Sequence, residues 1–260
     1  MLVTIVRHGE SIDNLKQKWS GNHDCNLTNW GYLQATLAGQ YLKNDKFTHI
    51  FCSDLKRAKL TCEAIVKEHE FNISTQEVFD NIHYHKELRE QDFGDIDGME
   101  PHLPKVREIT EKMRDMNLSW AERFQLKFPN GESKQDLYLR CSSIWKLILS
   151  NIINNKIQPL SDNPTHILIV CHGLTINQLI PAIADHPYSK SDATSRASLS
   201  GIRSDNTCIW RIQLGQGPFR LLLRNCTEHY NKLPLKRSIN ASSPYDPTQT
   251  SITSFLSNSL

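Results

Sequence analysis

Two histidines in this chain stand in the same local frame. His8 lies in Val6-Arg7-His8-Gly9-Glu10-Ser11, and His172 lies in Val170-Cys171-His172-Gly173. Each closes a short apolar run and is followed by glycine. Taken singly, a strand-end histidine is most often a packed side chain with its hydrogen bonds satisfied. Taken together, the two converge if their strands are neighbours. Arg7 adds a guanidinium beside His8, and Arg57 supplies a second basic group further along. Two arginines and two histidines around one point form a cage for an oxyanion, because the planar arginine fork matches phosphate oxygens. Within it, a neutral imidazole can attack phosphorus and become a phosphohistidine, which divides a hard transfer into two steps. The remaining groups would stabilise charge on the equatorial oxygens, and the scheme requires no metal. The leaving oxygen also needs a proton. Glu87-Leu88-Arg89-Glu90-Gln91-Asp92-Phe93-Gly94 offers three carboxylates, and a carboxyl stays neutral near pH 7 through burial or a like-charged neighbour. Composition does not choose among the three, and such a run is commonly a solvated surface.

These side chains need a scaffold. Leu2 to Val6 reads as a buried strand, His49 to Cys52 as a second, and residues around Ile73 to Phe79 as a third. His166 to Cys171 is a further strand, followed by a helix from Leu174 to Ala184. Thr28 is placed to cap a helix to about Leu42, and Ser53 and Asp54 to cap one through Ile65. Ser133 with Asp136 loosely matches a capping box opening a helix to about Ile153. Thr207 to Leu214 and Phe219 to Arg224 read as a closing hairpin around Gly215 to Pro218. Strands alternating with helices predict a three-layer α/β/α sandwich with a mostly parallel central sheet, whose ligands bind at the carboxyl ends of the strands. Residues 1–232 read as one domain. Residues 99–130 form a charged helical lid inserted in it, and 233–260, rich in Ser, Thr, Asn and Pro, form a disordered tail.

Composition narrows the function class. Thirty Lys and Arg against 28 Asp and Glu leave a net charge of +2, which argues against nucleic-acid binding by bulk charge. No apolar run approaches the roughly 18 residues of a membrane span. The N-terminus turns charged at the seventh residue, unlike a signal peptide. Seven scattered cysteines without a C-x-x-C argue against a disulfide scaffold and for a reducing compartment, hence a cytoplasmic or also nuclear location. Cys171 reads as a small buried hydrophobe. His83 and His85 read as surface residues, and the basic residues from Lys105 to Lys127 as a solvated helix face or a second anion site.

With these residues in view, the chain resembles the histidine phosphatase superfamily, also called phosphoglycerate mutase-like. Arg7-His8-Gly9-Glu10-Ser11 with Asn14 resembles its signature, and Ser53-Asp54-Leu55-Lys56-Arg57-Ala58 with Thr61 its second arginine motif. Leu88-Arg89-Glu90 with Phe93-Gly94 is similar to its acid loop, Asn130-Gly131-Glu132-Ser133 to its G-E-[ST] helix start, and Val170-Cys171-His172-Gly173 to its second histidine motif. The five blocks keep the family's order over roughly residues 1 to 230. The resemblance implies His8 as the phosphorylated nucleophile, Arg7, Arg57 and His172 as the rest of the phosphate pocket, and Glu90 as the proton donor. It implies that Asn14 and the backbone near Gly21 and Gly173 hold substrate, that Glu132 supports the pocket, and that no cofactor is needed. The chain departs from the pattern at Asn26, where proline is usual, and at Asp97, where glutamate is common.

The mutases of this family share an E-R-H-Y-G acid loop and an R-R-x-x-x-x-P-P stretch that are absent here, so a phosphatase is the expected branch. Tyr41-Leu42-Lys43, Lys46-Phe47-Thr48-His49, Ser195-Arg196 and Asn206-Thr207 resemble the TIGAR-type bisphosphatases. That resemblance implies a small phosphorylated metabolite as partner, with fructose 2,6-bisphosphate as the best single guess. A broad-specificity or protein phosphatase, a mutase and a non-enzymatic subunit are the alternatives. The last is disfavoured because all five candidate catalytic residues are present. The sequence sets no oligomeric state.

Overall fold

The computed structural model describes residues 1–71, 73–190, 203–215, 219–231 and 242–246. Its centre is a six-stranded sheet: β1 (Leu2–Arg7), β2 (His49–Ser53), β3 (Ile82–His85), β4 (His166–Cys171), β5 (Ile209–Gln213) and β6 (Arg220–Cys226), in the order β3-β2-β4-β1-β5-β6. The pairings β1·β4, β2·β4 and β2·β3 are parallel, while β5 runs antiparallel to β1 and β6.

Side chains alternate across a strand, so each central strand feeds two cores. Val3, Ile5, Phe51, Ile167 and Ile169 pack under α7 (Lys134–Ile153) and α8 (Gly173–Asp185). Val6, Ile50, Cys52, Leu168 and Val170 pack under α2 (Asn29–Leu42) and α3 (Lys56–Lys67). The three-layer α/β/α sandwich follows, since each apolar sheet face must be covered. Thr28 caps α2 by accepting the Gly31 N–H, and Ser133 with Asp136 forms a complete capping box on α7, both as the sequence predicts.

Two expectations are corrected. Residues 75–80 form a helix, α4 (Thr75–Asp80), because Ser74 and Glu77 close a capping box around its first turn; the third strand lies just after it. Asp54 does not cap α3. Its carboxylate takes a two-pronged ion pair from Arg89, and Leu55 holds the N-cap position without a side-chain bond. His83 and His85 are half-buried on β3 beside Phe51, at ring distances of 5.4 and 6.0 Å.

The segment 99–130, expected to be a lid, holds two helices, α5 (Pro104–Asp115) and α6 (Trp120–Gln125). It sits on a small core of its own, where Val106 meets Phe93 and Ile96 with Trp19, Met99, Phe128 and Leu174 around them. This core ties the segment to the loop that carries Glu90. Lys105 pairs with Asp95 at 3.3 Å and Lys127 with Asp136 at 3.0 Å, whereas Arg107, Lys112 and Arg114 lie exposed.

The turn at 216–218, most of the expected tail, and Ser195-Arg196 lie outside the described residues. The tail is ordered at 242–246. There Tyr245 stacks on Tyr32 at 3.7 Å, and its N–H donates to the Leu27 carbonyl. No helix among the described residues is long and apolar enough to cross a membrane.

Candidate active site

The β1·β4 register sets Arg7 opposite Cys171, so His8 and His172 leave the sheet side by side. The His8 N–H donates to the Cys171 carbonyl at 2.9 Å, and the two imidazole rings lie 5.0 Å apart. Behind His8, the Gly9 N–H donates to the Thr61 hydroxyl at 3.0 Å. Gly9 also packs on Gly31 so closely that a Cβ at either position would collide with backbone.

His8 Nδ1 lies 2.7 Å from the Gly9 carbonyl. A carbonyl only accepts, so Nδ1 carries the proton and Nε2 keeps its lone pair. Both histidines are pushed well below the ordinary value. Burial is the first cause, followed for His8 by Arg57 and Arg7, and for His172 by Arg57, His8 and Arg7. The neutral form that a nucleophile requires is therefore the resting one.

The cations are fixed from behind. The guanidinium of Arg57, fully buried at the start of α3, donates through Nη1 to the His23 carbonyl (2.8 Å) and through Nη2 to Gly21 (2.7 Å) and Ser20 (3.4 Å). Arg7 donates through Nη1 to the Ser204 carbonyl at 2.6 Å. Ser53 Oγ accepts the Leu55 N–H at 3.4 Å and lies 2.8 Å from His172 Nε2. Its hydroxyl proton can therefore go to Nε2, leaving the His172 proton on Nδ1. Among these site residues, three buried nitrogens have no protein partner: Arg7 Nε, Arg57 Nε and His172 Nδ1. Buried donors are almost always satisfied, so three on the residues around His8 suit the oxygens of a tetrahedral anion.

The geometry separates the three carboxylates. Glu90 is buried at the N-terminus of α8. Its Oε1 accepts from the Thr175 N–H (3.0 Å), the Thr175 hydroxyl (3.2 Å) and the Gln91 N–H (3.1 Å), and its Oε2 from the Leu174 N–H (3.0 Å). A Cβ on Gly173, the first residue of α8, would stand 3.4 Å from Arg7 Nε and 3.7 Å from Glu90 Oε2. Glu90 thus shares a wall with the arginine. Asp92 instead closes a turn onto the Gly94 N–H at 2.7 Å, and Glu87 lies 3.8 Å from His85.

Asn14 and Gly21 have structural engagements. Asn14 Oδ1 accepts from the Ser11 N–H (3.2 Å) and Asn206 Nδ2 (3.1 Å). The Gly21 N–H donates to Asp97 Oδ1 at 2.7 Å, while its carbonyl holds Arg57. Asp97 also accepts the N–H groups of Asn22 (2.6 Å) and His23 (3.0 Å), so it shapes the loop that orients Arg57. Asn206 further supports His8 by donating to its carbonyl at 3.1 Å.

Sequence reasoning missed Arg140. From α7 it donates to both oxygens of Glu132 (2.9 and 2.7 Å) and to the carbonyls of Glu87 (2.8 Å), Arg89 (3.0 Å) and Glu90 (3.1 Å). Glu132 Oε2 also accepts the Asp92 N–H at 3.1 Å. Arg140 therefore pins the whole acid loop. Arg140→Ala removes a charged donor from one carboxylate and three carbonyls, and should lower unfolding free energy by about 2 to 4 kcal/mol. Urea unfolding measures this, and an unchanged midpoint would refute the pin.

Profile comparison matches the histidine phosphatase superfamily (branch 1) over residues 3–227. The chain belongs to the histidine phosphatase superfamily. Among its relatives, the 2,3-bisphosphoglycerate-dependent phosphoglycerate mutase of Brucella ovis is 31% identical over 183 residues, covering 70% of this chain and 80% of that protein. The alpha-ribazole phosphatase of Shigella flexneri shares the fold, with a TM-score of 0.62, 23% identity, and 87% of this chain and 97% of that one covered. The mycobacterial glucosyl-3-phosphoglycerate phosphatase complexed with VO3 does so with a TM-score of 0.62, 21% identity, and 86% and 98% covered.

This member of the superfamily buries further neutral histidines. Burial lowers His229 to about 4, and burial with nearby Arg211 lowers His166 to about 4. When the folded value lies below the unfolded one, the unfolded chain takes up protons between the two. Stability is then complete above about pH 6.5 and falls as pH drops below it, by up to about 1.4 kcal/mol per pH unit for each such histidine. With His8 and His172 added, the thermal midpoint should fall steeply from pH 7 to pH 5. A flat profile would show that these imidazoles charge freely in the folded state.

Proposed function

We propose that the chain is a phosphomonoesterase that removes phosphate from a small phosphorylated metabolite through a phosphohistidine on His8. The observation that carries this reading is the set of three unpartnered buried donors, Arg7 Nε, Arg57 Nε and His172 Nδ1, around a neutral imidazole. His8 Nε2 attacks phosphorus and the P–O ester bond breaks. The departing alkoxide takes a proton from Glu90. The two guanidiniums and His172 stabilise the equatorial oxygens. In the second half, Glu90 takes a proton from water as that water attacks the phosphohistidine, which frees phosphate and restores both groups. Seven free cysteines support a reducing, cytoplasmic setting.

Within this class, the TIGAR-type resemblance favours a sugar bisphosphate, fructose 2,6-bisphosphate first. The exposed lid cations Arg107, Lys112 and Arg114 are candidates for its second phosphate. A mutase would share the first half-reaction and return the phosphoryl group to a hydroxyl. Phosphate release should therefore be screened across sugar bisphosphates, sugar monophosphates, phosphoglycerates and phosphopeptides. A bisphosphate preference of about tenfold or more in kcat/KM is expected, since a charge-assisted contact contributes roughly 1.5 to 3 kcal/mol. In the same screen, Glu90→Gln should slow sugar phosphates far more than p-nitrophenyl phosphate, whose leaving group needs little protonation. Equal losses on both would remove Glu90 as the acid. Transfer to phosphoglycerate without phosphate release would favour the mutase.

A further inference from the structure

One cluster near the active site takes no part in the phosphoryl chemistry. Asp13 on the short helix α1 (Ile12–Leu15), with His23 and Cys25 on the following loop, brings a carboxylate oxygen, an imidazole nitrogen and a thiol sulfur within 4.8 Å of one another. Asp13 and Cys25 are buried, while the His23 side chain is 46% exposed and opens the cluster to solvent. His23 Nδ1 lies 2.7 Å from Asp13 Oδ2, and Ser20 Oγ donates to the same oxygen at 3.0 Å.

We propose that Asp13, His23 and Cys25 form a site for a divalent ion of the zinc class, and that its occupancy weakens anion binding at Arg57. The donor set selects the ion. Zinc accepts sulfur, nitrogen and oxygen together, at about 2.3 Å to sulfur and 2.0 to 2.2 Å to the others, whereas magnesium and calcium take oxygen alone. Tetrahedral bonds of those lengths place donor atoms roughly 3.3 to 3.6 Å apart, so the three need only small shifts. His23 transfers its proton from Nδ1 to Nε2, the Cys25 thiol releases one proton to solvent, and water takes the open fourth position.

The coupling runs through the backbone. The His23 carbonyl accepts from Arg57 Nη1, and the Ser20 and Gly21 carbonyls accept from Nη2, so the loop that supplies two ligands also aims the guanidinium. Breaking the Asp13–His23 bond to admit an ion pulls on that loop.

Cobalt(II) reads the site directly. Titrating the intact chain should give one saturable equivalent with a thiolate-to-cobalt charge-transfer band that zinc displaces. Cys25→Ser should abolish the band, and His23→Gln should weaken binding by about tenfold or more. Cys226→Ser, at the one cysteine that is not buried, should change neither. A missing band, or one that survives Cys25→Ser, overturns the site. Should Cys25→Ser fail to fold, His23→Gln decides, and unchanged affinity there overturns the site equally. Orthovanadate then reads the coupling, an arm that rests on the phosphatase reading. Zinc should weaken its binding by about fivefold or more. Unchanged vanadate affinity overturns the coupling. A metal-free chain that binds no vanadate refutes the phosphatase reading and leaves the cobalt result standing.

Discussion

Arg57→Lys should cost about 10²- to 10³-fold in kcat/KM, and Arg57→Ala more, while both variants remain folded. Arg57 does two jobs that only a guanidinium combines. Its Nη atoms are spent on the carbonyls of Ser20, Gly21 and His23, and its Nε is left for the site. A lysine ammonium is a single point charge, so it can serve the loop or the anion but cannot span both. The loss has a second signature. Arg57 is the leading charge that holds His8 and His172 low. Arg57→Ala removes that charge and lets their values rise, so the acid limb of its kcat/KM profile should move to higher pH. An Arg57→Ala variant with lowered activity but an unmoved acid limb would mean that Arg57 supports the fold without acting on the imidazoles.

His8→Ala should lose at least about a thousandfold in turnover, because nucleophile and phosphoryl carrier vanish together. Stability should move the other way at low pH. The wild-type chain buries an imidazole that resists charging, so the variant should lose less stability than wild type between pH 6.5 and 5. That pair of outcomes separates catalytic loss from misfolding. Substantial remaining turnover would assign the nucleophile elsewhere.

Much of the site was legible because its chemistry sits at strand ends. Val6-Arg7-His8-Gly9 and Val170-Cys171-His172-Gly173 announce both strand and ligand in a few residues. Their convergence was not legible, because the order β2-β4-β1 depends on long-range pairing that no local window contains. Composition left Glu87, Glu90 and Asp92 open and only the Leu88-Arg89-Glu90 block implied Glu90, whereas its place at the N-terminus of α8 is tertiary and no local window contains it. Asp97, marked in the sequence only as a departure from the family's glutamate, gathers three consecutive N–H groups of the Arg57 loop. Arg140 gave no local signal, since the carbonyls it holds lie 50 to 53 residues away in sequence on the acid loop. The misplaced third strand had a readable warning. Ser74 with Glu77 is a capping box, and it outweighed the apolar run of Ile73, Val78 and Phe79. The tail shows the limit of composition: a polar segment still holds position at Tyr245, where one aromatic finds Tyr32 and the backbone of the α2 entrance.

Rapid-quench trapping of the phosphoenzyme tests the central claim most directly. A chain mixed with a phosphate-labelled substrate and quenched within one turnover should carry label that is acid-labile and base-stable, that maps to His8, and that is missing from His8→Ala. The label should form equally in the presence of a metal chelator. Label on another residue, or full turnover with no trapped phosphoenzyme in wild type, would contradict covalent catalysis by His8.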